Sequence, residues 1–205
     1  MTPDIAKMTM QDRFQHLFAV MSGQRFLNKQ GLGNEVPFFI CPFRPQEAVE
    51  MERLQHQLTK RLEHDGVRVL EINLYDLSIE ILKDREIWDQ IVEMEETVSK
   101  EQLKELLQGV LDPEAHLVPA IATKLEKNVF DVLFLSGVGE VFPYIRSHSV
   151  LNNLQSTAKE KPTVMFFPGT YSHSLESGAS LDLFGEGRLH DDKYYRAFNI
   201  YHCEV

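Results

Sequence analysis

The residues best equipped for chemistry stand at the ends of apolar runs. Arg44 follows FFICPF, and Arg146 follows the turn SGVGEVFPYI, which leaves the apolar run Val129–Leu135. A guanidinium so placed grips a carboxylate or phosphate through two parallel hydrogen bonds. The competing reading is an internal salt bridge, with Glu47, Glu140 and Asp76 as partners at hand. In a chain this acidic the internal pair is favoured. Ser136 at a run's end, with His148 further on, has the types of a nucleophile and its base. No G-x-S-x-G elbow surrounds it, so serine catalysis is not expected. Asp76 and Glu140 are too few for a two-metal nuclease. His190, Asp191 and Asp192 are weak metal candidates without H-E-x-x-H or C-x-x-C spacing, and a solvated polar loop is the favoured reading.

Phosphate binding needs a glycine-rich turn with free N–H groups and a lysine. The segment after the first apolar run, PFRPQEAV, has neither glycine nor lysine, and Pro42 and Pro45 remove two donors. The pairs Gly137/Gly139 and Gly185/Gly187 each lack the third glycine of the dinucleotide fingerprint. No metal or cofactor is expected, and no complete catalytic set is present. The candidates for gripping a ligand or a partner are Arg44, Ser136, Glu140, Tyr144, Arg146 and Asn153. Tyr144 and Arg146 are the leading contacts, because Tyr and Arg dominate binding hot spots.

These residues have to be positioned by buried elements. The chain has 205 residues with 43% hydrophobic and 25% charged, enough for one domain spanning residues 1–205 with its own core. Thirty-one acids against 21 bases give a formal net charge of -10, which argues against broad nucleic-acid binding. No apolar run approaches the length of a membrane span, and MTPDIAKMTMQDRF lacks the apolar stretch of a signal peptide. Cys41 and Cys203 are then expected to be reduced, in a cytoplasmic protein.

Phe14, Leu17, Phe18 and Met21 fall at helical spacing. PFFICPF predicts a buried strand near 38–41. Pro45 opens a helix to about His64 with Ala48, Met51, Leu54, Leu58 and Leu62 inward, and Gly66 ends it. A strand is predicted over Val67–Leu74, then two or three helices over about 79–127, one of them opened by the capping box Ser99/Gln102. Further strands are expected near 130–135 and 163–167, the latter ended by Pro168 and Gly169, with a helix between them running to about Thr157. Residues 171–192 read as a Ser/Gly-rich loop, and 197–201 as a last strand. The order predicts α/β: one mostly parallel sheet flanked by helices, with a helical elaboration at 79–127. Ligand crevices in such sheets lie beyond the carboxyl ends of the strands, here 41–45, 74–78, 136–146 and 168–173.

The stretches SGVGEVFPYIRSHSVLNNLQ, PTVMFFPGTY and DDKYYRAFNI, with PFFICPFRP upstream, resemble the BrxB family of BREX phage-defence systems. The resemblance runs from the first predicted strand to the C-terminus and is least diagnostic over 79–127. It implies a cytoplasmic, non-catalytic component of a multi-gene bacterial defence island, associated first with the alkaline-phosphatase-like PglZ protein. On that reading the SGVGEVFPYIR turn shapes a partner surface, although fold maintenance accounts for it equally. A second function class stays open. The strand order and S-G-V-G turn resemble P-loop ATPase cores, so a degenerate relative that binds or senses a nucleotide is the alternative. The 41–47 segment discriminates: a cradle of free N–H groups favours ligand binding, and a packed proline turn favours a scaffold.

Overall fold

The computed structural model describes residues 8–30, 37–174, 178–184 and 197–205. The weak metal candidates His190, Asp191 and Asp192 and the pair Gly185/Gly187 lie outside these residues.

The first helix, α1 (Met10–Ser22), starts at a capping box in which Thr9 and Asp12 satisfy each other's backbone N–H groups. Its buried stripe is Arg13, Leu17, Val20 and Met21, one helical face. Phe14 and Phe18, expected inside, are only partly buried on its flank. A short helix, α2 (Gln24–Leu27), follows. Strand β1 (Phe38–Phe43) is buried along its whole length, as a central strand covered on both faces must be. A 3₁₀ turn over Pro45–Glu47 leads into α3 (Ala48–His64), which buries Met51, Leu54, Leu58 and Leu62. Gly66, at φ +85°, turns the chain out of it.

Strand β2 (Val69–Asn73) is shorter than predicted. Asn73 accepts from the N–H groups of Tyr75 and Asp76, so Leu74 opens α4 (Leu74–Asp84) rather than closing a strand. Helices α5 (Trp88–Glu95), α6 (Lys100–Val110, with the predicted Ser99/Gln102 box) and α7 (Val118–Lys127) complete the elaboration, a π-helical turn over Pro113–Leu117 introducing the last. Strand β3 (Val132–Ser136) begins beyond Asp131, which is drawn aside by Arg68. Helix α8 (Ser147–Leu154) stops short of Thr157.

The largest departure from expectation is β4 (Thr163–Ser174), which does not end at Pro168-Gly169. Its first half pairs in parallel with β1 and β3, Phe38 opposite Thr163 and Leu133 opposite Thr163. Its second half runs on past the sheet and pairs antiparallel with β5 (Gly178–Leu183), within the stretch read as loop. Pro168 sits where β1 ends, so its missing N–H breaks no central ladder. Gly169 faces Asp182 so closely that a Cβ would lie 2.2 Å from the Asp182 carbonyl oxygen. The Pro-Gly pair marks a strand passing from sheet to hairpin. The last strand, β6 (Phe198–Asn199), is only two residues long. Asn199 accepts from the Tyr201 N–H and turns the chain into a 3₁₀ segment at Ile200–His202.

The sheet order is β2-β3-β4-β1-β6, with every neighbouring pair on this path parallel, and β5 joined to β4 alone. Helices α1 and α3 cover one face, packing on Phe39, Cys41, Phe134 and Phe166. Helices α4, α7 and α8 cover the other, packing on Ile40, Leu133, Leu135 and Met165. Strand residues alternate between these two cores, which is the period-two rule at work. Cys41 and Cys203 are free thiols. No helix among the described residues is long and apolar enough to cross a membrane.

Candidate partner surface at the carboxyl edge of the sheet

The turns after β1, β2 and β3 meet at the carboxyl edge, and each is held by its own side chains. Past β1, Arg44 and Glu47 close the 3₁₀ turn on itself. The Arg44 N–H donates to Glu47 Oε2 at 3.2 Å, its Nε donates to Oε1 at 3.0 Å, and a terminal guanidinium nitrogen completes the pair. The Glu47 N–H donates to the Arg44 carbonyl at 2.8 Å. From the other side Arg13, 2% exposed, donates to Glu47 Oε2 at 3.0 Å. Burial alone would raise the Glu47 carboxyl; the hydrogen bonds from Arg44 and Arg13 outweigh it and hold the group below the usual range. The position where a phosphate cradle would offer free N–H groups is thus a proline turn filled by an internal carboxylate. Arg44 forms the internal salt bridge expected of it.

Past β3, Gly137 adopts φ +74°. A Cβ there would stand 2.3 Å from Asn73 Oδ1 and 3.1 Å from the Leu74 N. The glycine therefore lets the β3 turn rest directly on the cap of α4, locking two strand ends together. Ser136 ends β3 beside Asn73 in register and is half-buried. Two residues on, Gly139 approaches Pro168 and Phe184, where a Cβ would lie 3.0 and 3.2 Å away. Phe142 meets the Phe184 ring edge-on at 6.0 Å between centroids, which ties the β4–β5 hairpin to the same turn.

The outer skin of this edge is acidic and aromatic. Glu140 is exposed at the turn's tip. Partial burial, together with the charges of Asp76 and Glu52, raises its carboxyl above the usual range. Tyr144 is half-buried against the α4–α8 core, and burial, with Tyr75 and Glu140 nearby, pushes its hydroxyl up to about 12. Val49, Tyr75 and Phe184 are 57%, 41% and 37% exposed, large apolar groups around the same acids. Arg146 is exposed at the N-cap of α8 and makes an interaction of its own. Asn153 serves its own helix: its amide donates to the Ser149 carbonyl at 2.8 Å.

Of the six candidates read from sequence, the β3 turn brings Ser136, Glu140 and Tyr144 together, Arg146 follows on the same segment, Arg44 is committed to Glu47, and Asn153 is turned into α8. Sequence reasoning missed Asn73, Glu47 with Arg13, and Tyr75. Asn73 carried a signal, a cap-forming residue immediately before the periodic run Leu74, Leu77, Ile81. Among the described residues no group of three or more His, Cys, Asp or Glu side chains is arranged to hold a metal ion.

Fold and edge together define a three-layer α/β protein whose strand-end turns are closed on themselves and present an acidic, aromatic surface. The family model described as "BREX protein BrxB" matches residues 70–200. A BREX protein BrxB of Bacillus cereus is 33% identical over 193 residues, covering 92% of this chain and 96% of the relative. One of Escherichia coli is 29% identical over 188 residues, covering 92% and 90%. No solved structure matches the chain. The chain belongs to the BrxB family, components of BREX antiviral defence systems.

Proposed function

We propose that this protein is a non-catalytic binding subunit of its BREX system, docking on the PglZ-like component through the carboxyl edge of its sheet. The observation that carries the reading is the edge itself. Its turns are consumed in internal contacts, Glu47 by two arginines and Asn73 by the α4 N-terminus. What faces outward is Glu140, Asp76 and Glu52 with Tyr75, Val49 and Phe184 around them. Exposed large apolar groups beside charge suit a protein contact with a polar rim. The acidity selects a basic partner face and speeds encounter more than it tightens the complex. Tyr144 and Arg146, on the same turn, are the proposed contacts. Localisation to the cytoplasm, where the system's other components act, goes with this reading.

The nucleotide-sensing alternative is disfavoured by the packed turn at 41–47. The experiment separates the two. Tagged protein is expressed with each co-encoded BREX component and co-purified, and the pure protein is assayed for phosphate release from ATP and GTP. Retention of the PglZ-like component with no release above a mock preparation is expected. Failure to retain any component, or turnover abolished by Arg44→Ala, would overturn the proposal.

A further inference from the structure

Helix α6 carries Leu103, Leu106, Leu107 and Val110 at the spacing of one helical face. Such a stripe ordinarily faces a core and is buried. Here all four are only half-buried, packed along the margin of the core that α4, α7 and α8 cover. Among the α-helices of the described residues, α6 alone buries no residue. Its neighbour α5, which packs against it, anchors Ile91 and turns two other apolar groups outward: Val92 and Met94 are 45% and 39% exposed. The pair of helices thus carries more apolar surface than the fold covers.

The charge around that surface is mostly of one sign. Residues 84–114 hold ten acids against three bases, so this stretch carries most of the chain's net charge of -10. The four positions one helical turn from Val92 are Trp88, Asp89, Glu95 and Glu96, a half-buried ring and three exposed carboxylates. Among the described residues none of these three carboxylates has an ion-pair partner. Lys104 is paired with Glu101, which leaves Lys100 as the one base on the two helices without such a partner among the described residues. Like charges three and four residues apart repel, and a cation brought in from outside relieves that cost.

We propose that the α5–α6 face is a docking surface for a lysine- or arginine-rich amphipathic helix of a partner protein. The apolar side of such a helix packs on the half-open leucine stripe and on Val92, and its cations fall among Asp89, Glu95 and Glu96. Exposed apolar groups in an acidic frame fit that chemistry and no other common one. A second copy of this chain would bring acid to acid, and nucleic acid or an anionic membrane would be repelled in the same way. The inference is independent of the partner reading above, which rests on the turns after β1, β2 and β3.

The test is amide-resolved NMR on the full chain, titrated with a two-heptad helical peptide of leucine and lysine and, as control, with its leucine–glutamate counterpart. Saturable shifts largest in α5 and α6 are expected with the lysine peptide, at an affinity that falls with salt, and none with the glutamate peptide. Val92→Ser, at an exposed position where serine is as good a helix former as valine, should weaken binding about threefold to fivefold, the worth of burying about half a valine side chain. Glu95→Gln combined with Glu96→Gln should weaken it by a similar factor. Glu140→Lys raises the net charge by the same amount on the carboxyl edge and should keep the wild-type affinity, which separates this face from that one. Absence of saturable shifts, shifts centred on the turn after β3, an unchanged affinity in Val92→Ser, an equal loss in Glu140→Lys, or self-association of the protein alone that Val92→Ser abolishes would overturn the proposal.

Discussion

Replacing Gly137 with alanine should cost far more than one methyl group suggests. The backbone there sits at φ +74°, where an L residue pays about 1–2 kcal/mol. The new Cβ would also fall 2.3 Å from Asn73 Oδ1, far inside contact distance, and so must displace it. That oxygen holds the Tyr75 and Asp76 N–H groups at 2.8 and 3.3 Å, and losing such a cap costs about 1 kcal/mol. The sum is about 2–3 kcal/mol, or roughly 5–10 °C in melting temperature for a chain of this size. Gly109 is the control. It lies inside α6 with nothing within 4 Å of an added Cβ, so Gly109→Ala should stabilise by up to about 1 kcal/mol. Urea denaturation gives both values. Combining Gly137→Ala with Asn73→Ala isolates the shared cap: the double variant should be less destabilised than the sum of the singles by about 1 kcal/mol. Strict additivity, or a Gly137→Ala variant as stable as the wild type, would refute the coupling of the β3 turn to the α4 cap.

Two further perturbations probe the ion pairs. Glu47→Gln removes the carboxylate to which the Arg13 guanidinium, 2% exposed, donates, so a loss of roughly 1.5–3 kcal/mol, the worth of a hydrogen bond to a charged group, is expected, whereas Arg44→Ala, on the exposed side of the same carboxylate, should change stability little; equal effects in denaturant titrations would show that burial of Arg13 is not what matters. Asp131 is held at about 2, chiefly by the Arg68 side chain, against an ordinary value of 3.8. Its contribution is therefore fully present above about pH 4 and is lost as pH falls through about 2. The melting temperatures of wild type and Asp131→Asn should accordingly converge over that interval, and a constant gap from pH 7 to pH 2 would count against the pair.

How much of this was legible in the sequence depends on the range of the interaction that decides each element. The parallel sheet was, because continuous apolar runs such as FFICPF and VLFL admit few other placements once the chain is long enough to cover both faces. The Ser99/Gln102 cap and the stop at Gly66 were, because both are settled within a few residues. The β4–β5 hairpin was not. Pro168-Gly169 reads locally as a terminator, and only the strand opposite, with Asp182 pressed against the glycine, explains both residues. The alternation in SLDLF, with Leu181 and Leu183 buried, was a usable signal masked by the serines and glycines around it. At the site, the Arg44–Glu47 pair followed from residue type and spacing. Arg13 did not: it occupies an inward position of α1 and is held there by long-range pairing, with Glu47 among its partners. Tyr75, in the first turn of α4, and Glu52, in α3, join Glu140 of the turn after β3, a convergence set by strand order.

The central claim is that the carboxyl edge is a docking surface for the PglZ-like component. Calorimetric titration of that component with the wild type and with Glu140→Lys, which reverses charge at an exposed position beside Asp76 and Glu52, tests it most directly. The account predicts saturable binding by the wild type that weakens with salt, and a loss of at least about tenfold in affinity for Glu140→Lys, with the variant's melting temperature unchanged. Wild-type binding that Glu140→Lys leaves untouched, or no binding of the wild type at low salt, would contradict it.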